Sequence, residues 1–171
     1  MTNIELGLAG KVVLVTGGVR GVGAGISRVF RDAGAVVITC ARRPADEGSD
    51  VADLEFHSVD LRDPEAVRAM IDAVVARHGR LDVVINNAGG APFALAAEAS
   101  ANFHSKIVAL NLLSALTVAQ EAHRVMADHG GAIVNISSVS GHRPSPGTAS
   151  YCAAKAGIDS LTGSLAVEWA P

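Results

Sequence analysis

Only two cysteines, Cys40 and Cys152, occur in the 171 residues, far apart and without a C-x-x-C or metal-ligand spacing. That excludes a disulfide-stapled secreted scaffold and leads us to expect two free thiols in a reducing, cytoplasmic setting. Long hydrophobic runs are missing too. The longest apolar stretch, Ile107 to Ala119, is interrupted by Asn111, Ser114 and Thr117, so it is too short to span a bilayer and reads as a buried helix. Met1 to Gly10 carries an acid, Glu5, and no apolar core, which gives no sign of a secretory or transit segment. Neither sign of charge dominates, since the net charge is −3; general electrostatic binding to nucleic acid or to an anionic membrane is therefore not expected, and any anionic ligand must be held by a local site. The six histidines form no metal-binding constellation, and there is no internal repeat, low-complexity tract or linker.

What is present is apolar substance, 49% hydrophobic residues against 18% charged, consistent with one globular domain over residues 1–171. Short β-branched runs alternate with helical segments between Lys11 and Ile136, the pattern of a parallel sheet covered by helices. Strands are expected at Val12 to Thr16, Val36 to Cys40, Glu55 to Val59, Val83 to Asn86 and Ala132 to Ser137. A helix opens at Asp63 as N-cap with Pro64 behind it, carries Val67, Met70, Ile71, Val74 and Val75 at helical spacing, and stops at Gly79. Another starts within Gly21 to Gly25 and ends at Gly34, joining the first two strands as a βαβ unit. The polar segment Ala41 to Asp53, with Pro44 and Gly48, offers at most a short helix.

Where the first strand meets its helix stands Thr16-Gly17-Gly18-Val19-Arg20-Gly21-Val22-Gly23. Glycine permits a tight turn and close approach, while the free N–H groups and the helix dipole attract phosphate, so a diphosphate would sit there. Taken alone, a glycine-rich connection selected for packing explains the motif equally well. Far downstream, Tyr151-Cys152-Ala153-Ala154-Lys155 puts the chain's only tyrosine and a lysine on one face of a helix. Ser137 and Ser138 end a strand at the edge where open α/β sheets bind ligands. Each of these has an ordinary structural explanation when read singly.

Together with Asn86-Asn87-Ala88-Gly89 after the fourth strand, these residues resemble the short-chain dehydrogenase/reductase family in order and spacing, from about Gly7 to the end of the chain. The resemblance implies a Rossmann-type doubly wound parallel sheet in the order 3-2-1-4-5. The family's T-G-x-x-x-G-x-G falls on Thr16 to Gly23, so Gly17, Val19, Arg20, Gly21, Val22 and Gly23 are implied cofactor contacts. Asp60 and Leu61 match its adenine-contacting position, and Asn87, Ala88 and Gly89 its N-N-A-G. Its catalytic Asn, Ser, Tyr and Lys fall on Asn111, Ser138, Tyr151 and Lys155; Ser138 is preferred to Ser137 because it lies thirteen residues before the tyrosine.

The implied reaction interconverts an alcohol and a carbonyl compound by hydride transfer, Tyr151 moving the proton. A free tyrosine ionises near pH 10, so such work at neutral pH requires a neighbouring cation, here Lys155, which would also bind the nicotinamide ribose. Ser138 would hold the substrate oxygen and Asn111 a water in a proton relay. Ala41 stands where relatives that use NAD carry an acid, and Arg42, Arg43 and Arg20 are basic, so NADP(H) is the expected cofactor and no metal is expected. Substrate walls are expected at Gly90 to Leu95 and at Ser140 to Ser150, the latter holding His142, Arg143, Pro144 and Pro146; the substrate is a small or medium carbonyl compound or alcohol. The resemblance implies a homodimer or homotetramer through the helices bearing Asn111 and Tyr151. The family's pattern continues past the Tyr151 helix with strands 6 and 7, and the expectation is a C-terminally incomplete chain ending at Pro171. A non-catalytic NADP(H)-binding sensor is the alternative; it has no chemical need of Asn111, Ser138, Tyr151 and Lys155.

Overall fold

The computed structural model describes residues 6–170; Glu5 and Pro171, on which two of the terminal expectations touch, lie outside them. Five strands, β1 (Val12–Thr16), β2 (Val36–Ala41), β3 (Glu55–Ser58), β4 (Val83–Asn86) and β5 (Ala132–Asn135), form one parallel sheet in the order β3-β2-β1-β4-β5. The helices are α1 (Gly21–Asp32), α2 (Pro64–His78), α3 (Ala101–Val108), α4 (Ser114–Met126) and α5 (Ala149–Glu168). The chain leaves β1 through α1 to one side and later returns to β4 on the other. A crevice therefore opens at the carboxyl ends of β1 and β4, where their connections diverge.

Alternation along β1 divides the core. Val12 and Leu14 join Ile38, Leu61, Ile71, Val74, Val84 and Val118 beneath α2 and α4, while Val13 and Val15 join Val37, Ile85, Ile26 and Phe30 beneath α1. Helix α2 begins as its sequence requires: the Asp63 carboxylate accepts the Glu65 and Ala66 N–H groups at 3.0 and 3.2 Å, and Gly79 closes the helix with φ 76°. At the amino edge of the sheet, Asp82 accepts the Val12 N–H at 2.9 Å, Lys11 Nζ at 3.2 Å and Arg80 Nε at 2.8 Å. Burial works against that carboxylate's charge, but these donors prevail and hold its pKa at about 2.

Three strand ends and one helical stretch differ from expectation. β5 ends at Asn135 rather than Ser137, although the Ile136 N–H still bonds the Asn86 carbonyl at 2.9 Å; the chain then turns over α5. β3 ends at Ser58, one residue early, and β2 runs one residue further, to Ala41. The stretch from 42 to 53 holds turns and no helix, within the expectation of at most a short one. The apolar stretch from Ile107 to Ala119 is not one regular α-helix: a π turn, Ala109–Leu113, joins α3 to α4. Among the described residues no helix is long and apolar enough to cross a membrane.

Candidate active site

The glycine loop is held by the side chains of Thr16, Asn87 and Ser27, of which only Ser27 was not singled out in the sequence. Thr16, 1% exposed, accepts the Asn87 and Ala88 N–H groups at 3.0 Å each through Oγ1. Asn87 Nδ2 donates to the carbonyls of Thr16 and Gly17 at 2.9 and 3.3 Å, and Ser27 Oγ donates to the Gly18 carbonyl at 2.9 Å. The Asn87 amide is thus spent on the loop itself. Gly23 is the tightest point: a Cβ there would lie 2.2 Å from the Gly17 carbonyl oxygen and 2.5 Å from Asn87 Nδ2. Any larger residue would push α1 off the loop.

Gly21 is the reverse case, with φ 55° and nothing within 4 Å of where a Cβ would be. Arg20, at the N-cap of α1, makes no side-chain cap. The first N–H groups of α1 are therefore left without capping partners beside open space. This cradle fits a dinucleotide diphosphate, which would supply the missing acceptors and complement the helix dipole. Val22 is exposed and Val19 buried at the turn.

At the carboxyl ends of β2 and β3, Arg42 and Arg43 are exposed, and Asp60 accepts Arg62 Nε at 2.9 Å and the Arg62 N–H at 3.1 Å. The Arg62 contacts, with a smaller pull from Arg42, outweigh burial and hold the Asp60 pKa at about 2. Arg62 was not foreseen; the D-x-R spacing after a strand was its only signal. The Leu61 side chain turns into the core, so only its main chain is available to a ligand.

Asn111, 2% exposed, lies in the π turn with its amide fully occupied. Oδ1 accepts the Gly90 N–H at 2.7 Å, while Nδ2 donates to the Gly90 and Ile107 carbonyls at 3.0 and 2.9 Å. It braces the loop after β4 against the helix. Gly89 fits between it and the lysine: a Cβ there would be 2.6 Å from Asn111 Oδ1 and 3.8 Å from Lys155 Nζ.

Lys155 is 5% exposed; its Nζ donates to the Ile136 carbonyl at 2.6 Å and lies 5.7 Å from the centre of the Tyr151 ring. Burial lowers the lysine pKa, opposed by the charge of Asp159 one turn further along α5. The two serines after β5 differ. Ser137 Oγ donates to the Lys155 carbonyl at 3.4 Å, whereas Ser138 Oγ accepts the Ser140 N–H at 3.1 Å and keeps its own proton to give. α5 is tied to the sheet by Asn135 Nδ2, which donates to Thr162 Oγ1 at 2.9 Å. Among the described residues no group of three His, Cys, Asp or Glu is placed to hold a metal ion.

The sheet order agrees with the comparisons. The model of the short chain dehydrogenase family matches residues 11–171. The chain belongs to that family. L-fucose dehydrogenase from Oryctolagus cuniculus is 37% identical over 166 residues, covering 94% of this chain and 58% of that protein. Acetoacetyl-CoA reductase from Acinetobacter sp. (strain RA3849) is 38% identical over 170 residues, covering 94% and 68%. The ligand-free structure of Thermoplasma acidophilum aldohexose dehydrogenase superposes with a TM-score of 0.90 at 31% identity, over 96% of this chain and 64% of that one. The chain thus spans about six-tenths of the length of the family members it matches first.

Proposed function

We propose that residues 1–171 form one domain carrying the dinucleotide site and the acid–base residues of an NADP(H)-dependent oxidoreductase that interconverts an alcohol and a carbonyl compound. The observation that carries this reading is the buried Lys155 ammonium, one helical turn from Tyr151 and against Gly89 and Asn111, at the same sheet edge as the open α1 amino end.

Gly21, Val22 and Gly23 would receive the diphosphate on main-chain N–H groups, with Gly17 and Val19 shaping the turn. Asp60 and the Leu61 main chain would meet the adenine, and Asn87, Ala88 and Gly89 would line the path to the nicotinamide end. Arg20, Arg42 and Arg43 would bind the 2′-phosphate. Arg62 supports that choice, because its pairing with Asp60 reduces the repulsion an anion would meet there. When bound, the cofactor supplies or accepts hydride at the substrate carbon. Tyr151 gives a proton to the substrate oxygen or takes one from it. Lys155 favours the phenolate by its charge and is in reach of the ribose side, Ser138 donates its free hydroxyl proton to the substrate oxygen, and Asn111 holds the π turn and with it the water path toward Lys155. The sensor alternative leaves this arrangement of Tyr151, Lys155 and Ser138 without a purpose.

A homodimer or homotetramer through the helices bearing Asn111 and Tyr151 accounts for the exposure of Leu113 at 52% and Val167 at 81%. The free thiols of Cys40 and Cys152 support a cytoplasmic setting.

The test is NADPH oxidation against a panel of ketones, aldehydes and quinones. Tyr151→Phe should lower turnover by about 10²- to 10⁴-fold while NADPH affinity stays close to wild type. Arg20→Ala with Arg42→Ala should weaken NADPH about ten- to a hundredfold per contact and leave NADH nearly alone. Substantial activity in the phenylalanine variant overturns the acid–base role, and equal losses for the two cofactors overturn the 2′-phosphate reading.

A further inference from the structure

A small cavity lies against Tyr151 where three segments meet: the stretch from Ala91 to Ala94 after β4, the middle of α3, and the entry to α5 from Gly147 to Tyr151. Its free space is about 10 Å³, enough for one hydroxyl-sized group and too small for a methylene chain. Much of the lining is apolar, including Ala91, Pro92, Phe103 and Ile107. His104 supplies its one imidazole. The far wall is fixed by a bond from the Ala94 N–H to the Gly147 carbonyl at 3.0 Å and by the Phe93 ring lying on Gly147.

His104 is held in a defined orientation. Its Nδ1 is hydrogen-bonded to Ser150 Oγ, on the residue immediately before Tyr151, and its position on α3 is set by the capped first turn, where Ser100 Oγ accepts the Phe103 N–H at 3.1 Å. Nε2 has no partner among the described residues and is the ring nitrogen left for a bound molecule. If Ser150 donates to Nδ1, Nε2 carries the proton and donates; if Nδ1–H donates to Ser150, Nε2 accepts, and a substrate hydroxyl can pair with it in either case.

We propose that His104 is a substrate-recognising residue whose Nε2 binds an oxygen carried next to the reacting carbon, so that the site selects hydroxyketones, hydroxyaldehydes and the corresponding polyols over unfunctionalised carbonyl compounds. The inference rests on the oxidoreductase reading of the same site. Tyr151 takes the reacting oxygen, and the cavity beside it has room for one further oxygen and little else. A substrate hydroxyl there would lose water on binding, and His104 returns the hydrogen bond; a hydrogen or methyl group in its place leaves the imidazole unpaired, which penalises the unfunctionalised substrate.

The test compares kcat/KM with NADPH for 1-hydroxy-2-butanone and for 2-butanone. Wild type should favour the hydroxyketone by about tenfold or more. His104→Phe, which keeps a planar ring without nitrogens, should bring the ratio of the two close to one, with the loss concentrated on the hydroxyketone. His104→Asn retains an amide near the Nδ1 position for Ser150 but does not reach the Nε2 position, so it should lose the preference as well. His104→Gln, which reaches that position, should recover part of it. A wild-type ratio near one, or equal losses on both substrates in the variants, overturns the role of His104 and leaves the oxidoreductase reading in place. Absence of turnover across the whole ketone, aldehyde and quinone panel overturns the oxidoreductase reading itself, and this inference with it.

Discussion

Replacing Gly23 by alanine adds one carbon at the most crowded point of the glycine loop. That carbon would sit 2.2 Å from the Gly17 carbonyl oxygen and 2.5 Å from Asn87 Nδ2, more than 1 Å inside ordinary contact in the first case. Both neighbours are fixed: Gly17 belongs to a turn whose N–H is bonded to the Cys40 carbonyl at 2.8 Å, and Asn87 is bonded to Thr16 and Gly17. Relief therefore requires α1 to move away from the loop. Overpacking of this kind costs about 1–3 kcal/mol, and breaking the Asn87 bonds adds about 1 kcal/mol. A total near 3 kcal/mol lowers the melting temperature of a chain this size by about 6–12 °C. The same movement displaces the free N–H groups of α1, so dinucleotide affinity should fall with stability. Gly25→Ala is the internal control. It lies on the same helix with nothing within 4 Å of its Cβ position, and alanine there should stabilise by up to about 1 kcal/mol. Thermal unfolding by circular dichroism and calorimetric titration of NADPH read both quantities. Gly23→Ala melting within 1 °C of wild type, with unchanged affinity, would refute the argument that contact with the loop sets the position of α1.

Asp82, with its pKa depressed to about 2, contributes stability that is present above the unfolded-state carboxylate range and lost as pH falls through that range toward 2. The shift corresponds to about 2 kcal/mol, so acid titration of stability should show that loss between about pH 5 and 2, and Asp82→Asn should lack it while starting from lower stability at pH 7. Asn111→Ala removes all three bonds to Gly90 and Ile107; urea denaturation should show a loss of about 2 kcal/mol, together with reduced activity even though Tyr151 and Lys155 remain.

How much was legible in the sequence depended on how local each signal is. The helix from Pro64 to His78 was legible because its cap, its first proline, its apolar spacing and its closing glycine all lie within the segment itself. The strand order followed from the resemblance, and the core faces of β1 from alternation. The ends of β3 and β5 were misjudged by one and two residues because pairing stops where a neighbouring strand stops, which the residues of one strand do not record. The π turn at Ala109–Leu113 was not visible either, and the Asn111 bonds that accompany it reach Gly90, twenty-one residues earlier.

The sequence alone determined the alternation of strand and helix, the glycines that leave the amino end of α1 open, and the four-residue step from Tyr151 to Lys155, because each depends on residues within about one turn or one strand of each other. Only the tertiary structure decided what those residues meet. It placed Lys155 on the Ile136 carbonyl, separated the tasks of Ser137 and Ser138, made Asn87 and Asn111 braces for two loops, gave Asp60 its partner Arg62, and brought His104 to Ser150 across forty-six residues. Burial and side-chain pairing arise when segments distant in the chain pack on one sheet, and no window along the sequence contains both partners.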